Sequence, residues 1–325
     1  MTATRARALW ITGPRTCALR DEPVEGADAG TDDAVLVEAL VSGISRGTEA
    51  LVFRGAVPAS ERERMRCPFQ AGAFPWPVKY GYAMVGRAVS GPLAGRAVFA
   101  LHPHQDRFRL PAAALVPLPD GVPAARAVLA PNMETALNIV WDAGAAPGDR
   151  IAVVGAGVVG ALAAWLCARL PGAEVTLVDL NPDRAALAAA LGCRFALPGA
   201  APTGCDLAIH ASASAAGLAT ALGCLGPEAT LVEASWYGEG VVPLPLGGAF
   251  HSQRLRIVAS QVGSLPPARR PRWTHRRRLE LALGLVAAPV LDTLISGETA
   301  FGDLPGRYGA ILDDPATLCH RIRYP

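Results

Sequence analysis

A chain of 325 residues has room for two domains, each with a core of its own. It is 51% apolar and 18% charged, a balance that excludes a disordered chain, and its wealth of Ala, Gly and Pro points to packing by small side chains. A formal net charge of +2 gives no bulk electrostatic case for a nucleic-acid binder.

Residues 1–19 alternate charge with short apolar runs and hold no hydrophobic stretch of signal-peptide length. Up to about residue 120 the chain reads as short strands punctuated by Gly and Pro, among them 34–41, 81–89, 96–101 and one or two within 107–118, with no long helix. Residues 68–77 carry three prolines and a glycine and read as an irregular loop. From Pro123 the pattern changes. Residues 124–142 are helical in period. Strands at 151–154, 174–178, 207–211, 229–234 and 255–260 then alternate with helices at 158–170, 182–191 and 216–225. That alternation builds a parallel sheet covered by helices on both faces. After Gly263 comes a basic link, a helix over 276–287 and a tail in which 319–324 reads as a closing strand. The most hydrophobic window, 151–166, is interrupted by glycines and bounded closely by Asp149-Arg150 and Arg169, so no membrane span is expected and the protein is read as cytoplasmic. The seven cysteines form no C-x-x-C pair, are odd in number and sit mostly among apolar residues, as reduced buried thiols do.

The strand at 151–154 runs into Gly155-Ala-Gly157-Val158-Val159-Gly160 and then into an alanine-rich helix. A G-x-G-x-x-G pattern at a strand-to-helix turn is the dinucleotide-binding arrangement. Gly155 permits the tight turn, Gly157 lets the backbone approach a pyrophosphate, and Gly160 lets the helix pack close to the strand. The pyrophosphate then rests on the helix N-terminus at Val158 and Val159, where free N–H groups and the dipole favour an anion. The next strand ends in Asp179, 19 residues past Gly160. A carboxylate there accepts from ribose hydroxyls and repels a 2′-phosphate, which favours NAD(H) over NADP(H). Capping of the following helix is the other reading of Asp179. Arg184 offers a phosphate contact that would weaken the preference. Ser212, just past the strand at 207–211, completes the cofactor candidates together with Thr135.

The order of a β-rich part, a Rossmann unit and a short return segment resembles the medium-chain dehydrogenase/reductase superfamily of zinc alcohol dehydrogenases and quinone oxidoreductases. The resemblance covers essentially the whole chain. Residues 41–49, Val-Ser-Gly-Ile-Ser-Arg-Gly-Thr-Glu, are similar to its G-I-C-G-T-D segment. Residues 77–86 are similar to its P-x-x-x-G-H-E-x-x-G segment, and 131–136 to the opening of the helix beside the nicotinamide, which places Thr135 there. Gly297-Glu-Thr and Ser235-Trp236-Tyr237-Gly238 are similar to the branch holding bacteriochlorophyllide hydroxyethyl dehydrogenases. The resemblance implies a doubly wound Rossmann domain over 122–263, a GroES-like β domain from 1–121 and 264–325, and a homodimer paired along the strand near 254–260.

The chain departs from the superfamily at the metal. The position of the zinc-binding Cys holds Ser45 or Arg46, that of the His holds Tyr82, and the following Glu is Ala83. Zinc wants thiolate, imidazole or carboxylate, so no zinc is expected, and the four clustered cysteines of the structural zinc lobe are absent too. Another group must then manage the substrate's oxygen. The resemblance puts Tyr82 where a metal-bound water would lie, with a plain wall tyrosine as its other reading. Thr48 stands at a proton-relaying position or stabilises a turn, and Glu49 beside it reads as a supporting ion pair. His102 and His104 form the one local imidazole cluster. Surface or interdomain structure, acid–base or substrate binding, and a metal site are its open readings, with His104 the catalytic candidate. His210 reads as a core or cofactor-edge histidine. The basic run from Arg269 to Arg278 is either a solvated link or a site for an anionic group of the substrate. The expectation is an NAD(H)-dependent oxidoreductase acting on a small alcohol or carbonyl compound, without zinc, nucleic acid or membrane. Its rival is a non-catalytic NAD(H)-sensing protein.

Overall fold

In the computed structural model, which describes residues 5–24 and 33–325, the chain begins with strands β1 (Arg5–Gly13), β2 (Thr16–Pro23) and β3 (Ala34–Ser45). Residues 1–4 of the N-terminal stretch read above lie outside the described residues. In β3 the alternation puts Val35, Val37, Ala39 and Val41 inward, the period of a half-buried strand. The chain continues through helix α1 (Arg46–Arg54), β4 (Ala71–Gly72), β5 (Val78–Lys79), β6 (Met84–Ala88), β7 (Ala97–Ala100), β8 (Arg107–Pro111), β9 (Val116–Pro117), α2 (Ala124–Ala127) and α3 (Ala130–Ala143). The Rossmann part follows as β10 (Arg150–Val154), α4 (Val158–Cys167), β11 (Glu174–Val178), α5 (Arg184–Leu191), β12 (Arg194–Ala196), β13 (Cys205–His210), α6 (Ala215–Gly223), β14 (Leu225–Glu233), α7 (Ala249–Ser252) and β15 (Arg256–Ala259). The return segment is α8 (His275–Leu285), β16 (Ile295–Ala300), α9 (Leu304–Asp313) and β17 (Cys319–Arg323).

The chain divides into two compact units, Met1–Pro131 with Leu283–Pro325, and Asn132–Ala282. In the first, one sheet runs β2-β1-β5-β4, and a larger one runs β16-β17-β3-β6-β7-β9 with β8 also paired to β3. The tail thus enters a sheet begun by β3, with Cys319 opposite Ser45 and Arg323 opposite Val41. The second unit is a parallel sheet ordered β12-β11-β10-β13-β14-β15. Its central strand is apolar throughout its inner length, with Ile151, Ala152, Val153 and Val154 all buried, as expected of a strand covered on both faces. Leu162 and Trp165 of α4 are buried as well, each large side chain contributing roughly 1.5–3 kcal/mol. All seven cysteines are free, and six of them are buried.

Several expectations change. The first part contains α1, and the tail contains β16 and α9 besides its closing strand. β12 adds a sixth strand to the Rossmann sheet, and 124–142 is two helices. The unit boundaries fall later than 121/122 and 263/264. Arg126 explains the first shift: its guanidinium meets both oxygens of Asp292 (2.7 and 2.6 Å) and donates to the Ala287 carbonyl, holding α2 in the first unit. Arg278 explains the second. It is 3% exposed and bonds Glu134 (3.0 Å), Asn138 Oδ1 (2.7 Å) and the Val262 carbonyl (2.7 Å), so the start of α8 belongs with α3.

Lys79, the single lysine of the chain, lies on β5 at 6% exposure. Its ammonium is held by the Glu22 carboxylate and by Gln105 Oε1 at 2.9 Å, the paired state that a buried charge requires.

Candidate functional site

The glycine turn has the geometry its spacing implies. Gly155 is left-handed (φ 109°), and a Cβ there would lie 2.7 Å from the Ser212 amide nitrogen. A Cβ on Gly160 would stand 1.9 Å from the Gly155 carbonyl oxygen, so α4 can approach the turn only with glycine at that place. A Cβ on Gly157 would meet nothing within 4 Å, which leaves open space over the start of α4. Val158 and Val159 form the first residues of that helix, whose leading N–H groups have no intrahelical partner. Asp179, half-buried, reaches across the turn: one carboxylate oxygen accepts from the Ala156 amide (2.6 Å) and the other from the Asn181 amide (2.9 Å). Each oxygen has a second acceptor site, so ribose hydroxyls remain within its capacity. Arg184 begins α5, and Thr135 lies in the first half of α3. These residues fit a dinucleotide.

In the first unit the structure brings Tyr82, Ser45 and Thr48 together. Burial pushes the Tyr82 phenol up to about 12, against the opposing effect of hydrogen bonds with the Ser45 and Thr48 side chains. The phenol therefore keeps its proton through the neutral range and is a donor. Thr48 stands on the helix α1, not on the turn of its alternative reading. Of the aromatic residues in the loop 68–77, Phe74 packs inward against Tyr80 (5.8 Å between centroids), and Trp76 covers Gly55 so closely that a Cβ there would lie 2.3 Å from its ring. The positions that the resemblance equates with the zinc ligands thus carry the Tyr82 phenol and either the Ser45 hydroxyl or the Arg46 guanidinium, a donor set that does not fit a zinc ion. Among the described residues no group of three His, Cys, Asp or Glu side chains is arranged to hold a metal.

His104 is not a surface group. It is fully buried, its Nε2 donates to Glu49 Oε2 (3.1 Å) and its Nδ1 accepts from the Ser42 hydroxyl (2.8 Å). Glu49, also buried, accepts in addition from the Tyr308 hydroxyl (2.7 Å) and the Ser45 amide (2.7 Å), and Ser42 meets the Tyr324 hydroxyl at 3.0 Å. Every polar group in this chain is spent on another, and none faces solvent. His102 is buried too. It stacks on Phe108 at 3.9 Å and donates to the Pro103 carbonyl, and burial lowers it to about 3, keeping the ring neutral. Neither histidine is at the surface. The basic run is mostly solvated, with Arg270, Arg272, Arg276 and Arg277 exposed. Arg278 is buried, Arg276 pairs with Glu280, and Arg277 and Arg269 lie over the rings of Trp273 and Trp141 at 4.0 and 5.1 Å.

A second histidine chain, assembled only by the fold, lies where β13 and β14 end. His210 is fully buried, and its Nδ1 donates to Glu233 at 2.8 Å. Its Nε2 accepts from the Ser212 hydroxyl at 2.6 Å. Glu233 also accepts from the Ser235 amide (2.8 Å) and the Tyr237 hydroxyl (3.0 Å). Burial pushes the Glu233 carboxyl up, but its bonds with His210 and Ser235 outweigh that and hold it below its usual range. The sequence offered Ser212 as a cofactor candidate and His210 as a core or cofactor-edge histidine, but Glu233 and Gly217 did not stand out. The serines at 212 and 214 before a glycine in the helix's first turn were the available signal.

The comparisons agree with this architecture. Residues 130–218 match the family described as alanine dehydrogenase/PNT, C-terminal domain. The chain is 26% identical over 341 residues to D-guloside 3-dehydrogenase of Escherichia coli K12, covering 94% of this chain and 96% of that protein. Among solved structures, L-idonate 5-dehydrogenase from Escherichia coli superposes with a TM-score of 0.80 at 14% identity, over 99% of each chain. An Escherichia coli CFT073 alcohol dehydrogenase, rspB, solved with NADH, gives 0.76 at 15% identity, covering 98% of this chain and 99% of that one. The chain has the Rossmann-plus-GroES-like fold of the medium-chain dehydrogenases and reductases, as its sequence resemblance implied.

Proposed function

We propose that this protein is an NAD(H)-dependent oxidoreductase of the medium-chain type that acts on an alcohol or carbonyl group without catalytic zinc. The observation that carries this reading is the glycine turn with Asp179 bonded across it, a cradle built for a dinucleotide with an unphosphorylated ribose. The cofactor, when bound, supplies or takes the hydride. The start of α4 receives the pyrophosphate, and Asp179 holds the ribose hydroxyls. Tyr82 keeps its proton at neutral pH and donates it to the substrate oxygen, with the Thr48 and Ser45 hydroxyls in reach to return it. The substrate is a small molecule. A homodimer paired along β15, the edge strand of the Rossmann sheet, is part of the same proposal.

The test is cofactor binding followed by turnover. NAD(H) is expected to bind at least roughly tenfold tighter than NADP(H), and Asp179→Ser to narrow or invert the ratio. Equal or better NADP(H) binding by the unsubstituted protein overturns the preference. Tight NADH binding with no oxidation across a broad panel of aldehydes, ketones and quinones turns the reading to an NAD(H) sensor.

A further inference from the structure

The Glu233–His210–Ser212 chain is the part of the second unit that the proposed function leaves unused, and its polarity can be worked out bond by bond. A carboxylate only accepts, so the His210 Nδ1 carries the proton and donates to Glu233. In the tautomer whose single N–H is on Nδ1, the Nε2 is bare and accepts the Ser212 proton at 2.6 Å. Ser212 is 3.0 Å from the Ser214 hydroxyl. Ser212 has already given its own proton to His210, so Ser214 is the donor there. Ser214 in turn accepts from the Gly217 amide (3.0 Å). Every bond points toward Glu233. A hydroxyl has two lone pairs, and only one of those on Ser212 is taken. Ser212 is exposed, so what it presents outward is an acceptor with no proton to give.

The surroundings are shaped for this chain. A Cβ on Gly217 would lie 2.1 Å from Ser212 Oγ, 2.8 Å from Ser214 Oγ and 3.0 Å from His210 Nε2, although the residue is in ordinary helix. Glycine is there for room. Ala213, next to Ser212, is left-handed (φ 52°), a conformation unfavourable for a residue with a Cβ, and its amide is fixed by the Ser235 hydroxyl at 3.0 Å.

We infer that Glu233 and His210 are positioning residues that fix the Ser212 hydroxyl as an obligate acceptor for a ribose hydroxyl in the nicotinamide half of the dinucleotide. The inference rests on the cofactor reading above. The choice of half follows from topology. Asp179 follows β11 on one side of β10, Ser212 follows β13 on the other, and a dinucleotide spans the crevice where the strand order reverses. The Ser212 backbone abuts the Gly155 turn itself.

Binding of NADH and of ADP, which lacks the second ribose, separates the outcomes. Ser212→Ala and Glu233→Gln are each expected to weaken NADH roughly three- to tenfold, the worth of one hydrogen bond, with ADP changed less than about twofold. Ser212→Thr, which keeps the hydroxyl, is expected to restore NADH binding. Unchanged NADH affinity in Ser212→Ala overturns the inference while leaving the cofactor reading intact. Equal losses for NADH and ADP overturn it as well, because they mark a collapsed turn. No binding of either ligand to the unsubstituted protein overturns the cofactor reading and this inference with it.

Discussion

The two units each contain a serine, a histidine and a glutamate in a row, and the two rows end differently. In the first unit Ser42, His104 and Glu49 are all fully buried, and the serine leads only to Tyr324. In the second, His210 is as deeply buried, but Ser212 opens beside the glycine turn. Residue types and bond lengths are nearly the same. Burial of the serine end alone separates a strut from a site, since a hydrogen bond saturated inside the protein has nothing left to offer a ligand.

The difference between the two rows should show most strongly in stability. His104→Leu leaves Glu49 buried without its histidine and is expected to cost about 1.5–3 kcal/mol, the loss of a hydrogen bond to a buried charge, read from denaturant titration. His210→Leu is expected to cost clearly less, because Glu233, which like Glu49 keeps a backbone amide and a tyrosine hydroxyl, lies partly in reach of water while Glu49 does not. Equal losses would make both rows structural.

The next largest effect concerns Tyr82, beside the sealed row. If its phenol serves the substrate oxygen, Tyr82→Phe lowers kcat by ~10²-fold with NADH affinity little changed. A loss below about threefold reduces it to a wall. Stoichiometric zinc by elemental analysis would overturn the premise that a hydroxyl replaces the metal.

A weaker effect is expected at His102, a buried histidine that meets no carboxylate among the described residues. Burial holds His102 near 3, well below the ordinary 6.5. The unfolded chain therefore takes up a proton that the folded one refuses, and stability should fall as pH drops below about 6.5 toward 3. His102→Phe, which preserves the stacking on Phe108, is expected to flatten that acid limb by a few degrees in unfolding temperature. An unchanged acid limb would assign it to other groups.

The glycine turn, Asp179 and the alternating strands were legible because their signals are local: a fixed spacing, a strand end, a run of buried aliphatics. α1 was not, although Gly55 closes it in the left-handed conformation and was a readable stop. Ser45 offers no side-chain cap, and the helix follows β3 without a break. The histidines were legible as residues but not as environments. Glu49 is 55 residues from His104, and Glu233 is 23 from His210. No local period reports such a partner. Within the arginine run Arg278 alone hid its environment for the same reason: its Glu134 partner lies 144 residues away.

Lys79 also bears on how this protein can be handled and modified. The chain's one ε-amino group is shut behind Glu22 and Gln105. Acetylation, ubiquitin transfer to lysine and amine-directed crosslinkers therefore find no side-chain target on the folded surface, and acquired reactivity toward such a reagent would report that β5 had come away from its sheet. The exposed cations are guanidinium groups, whose charge does not titrate in the working range.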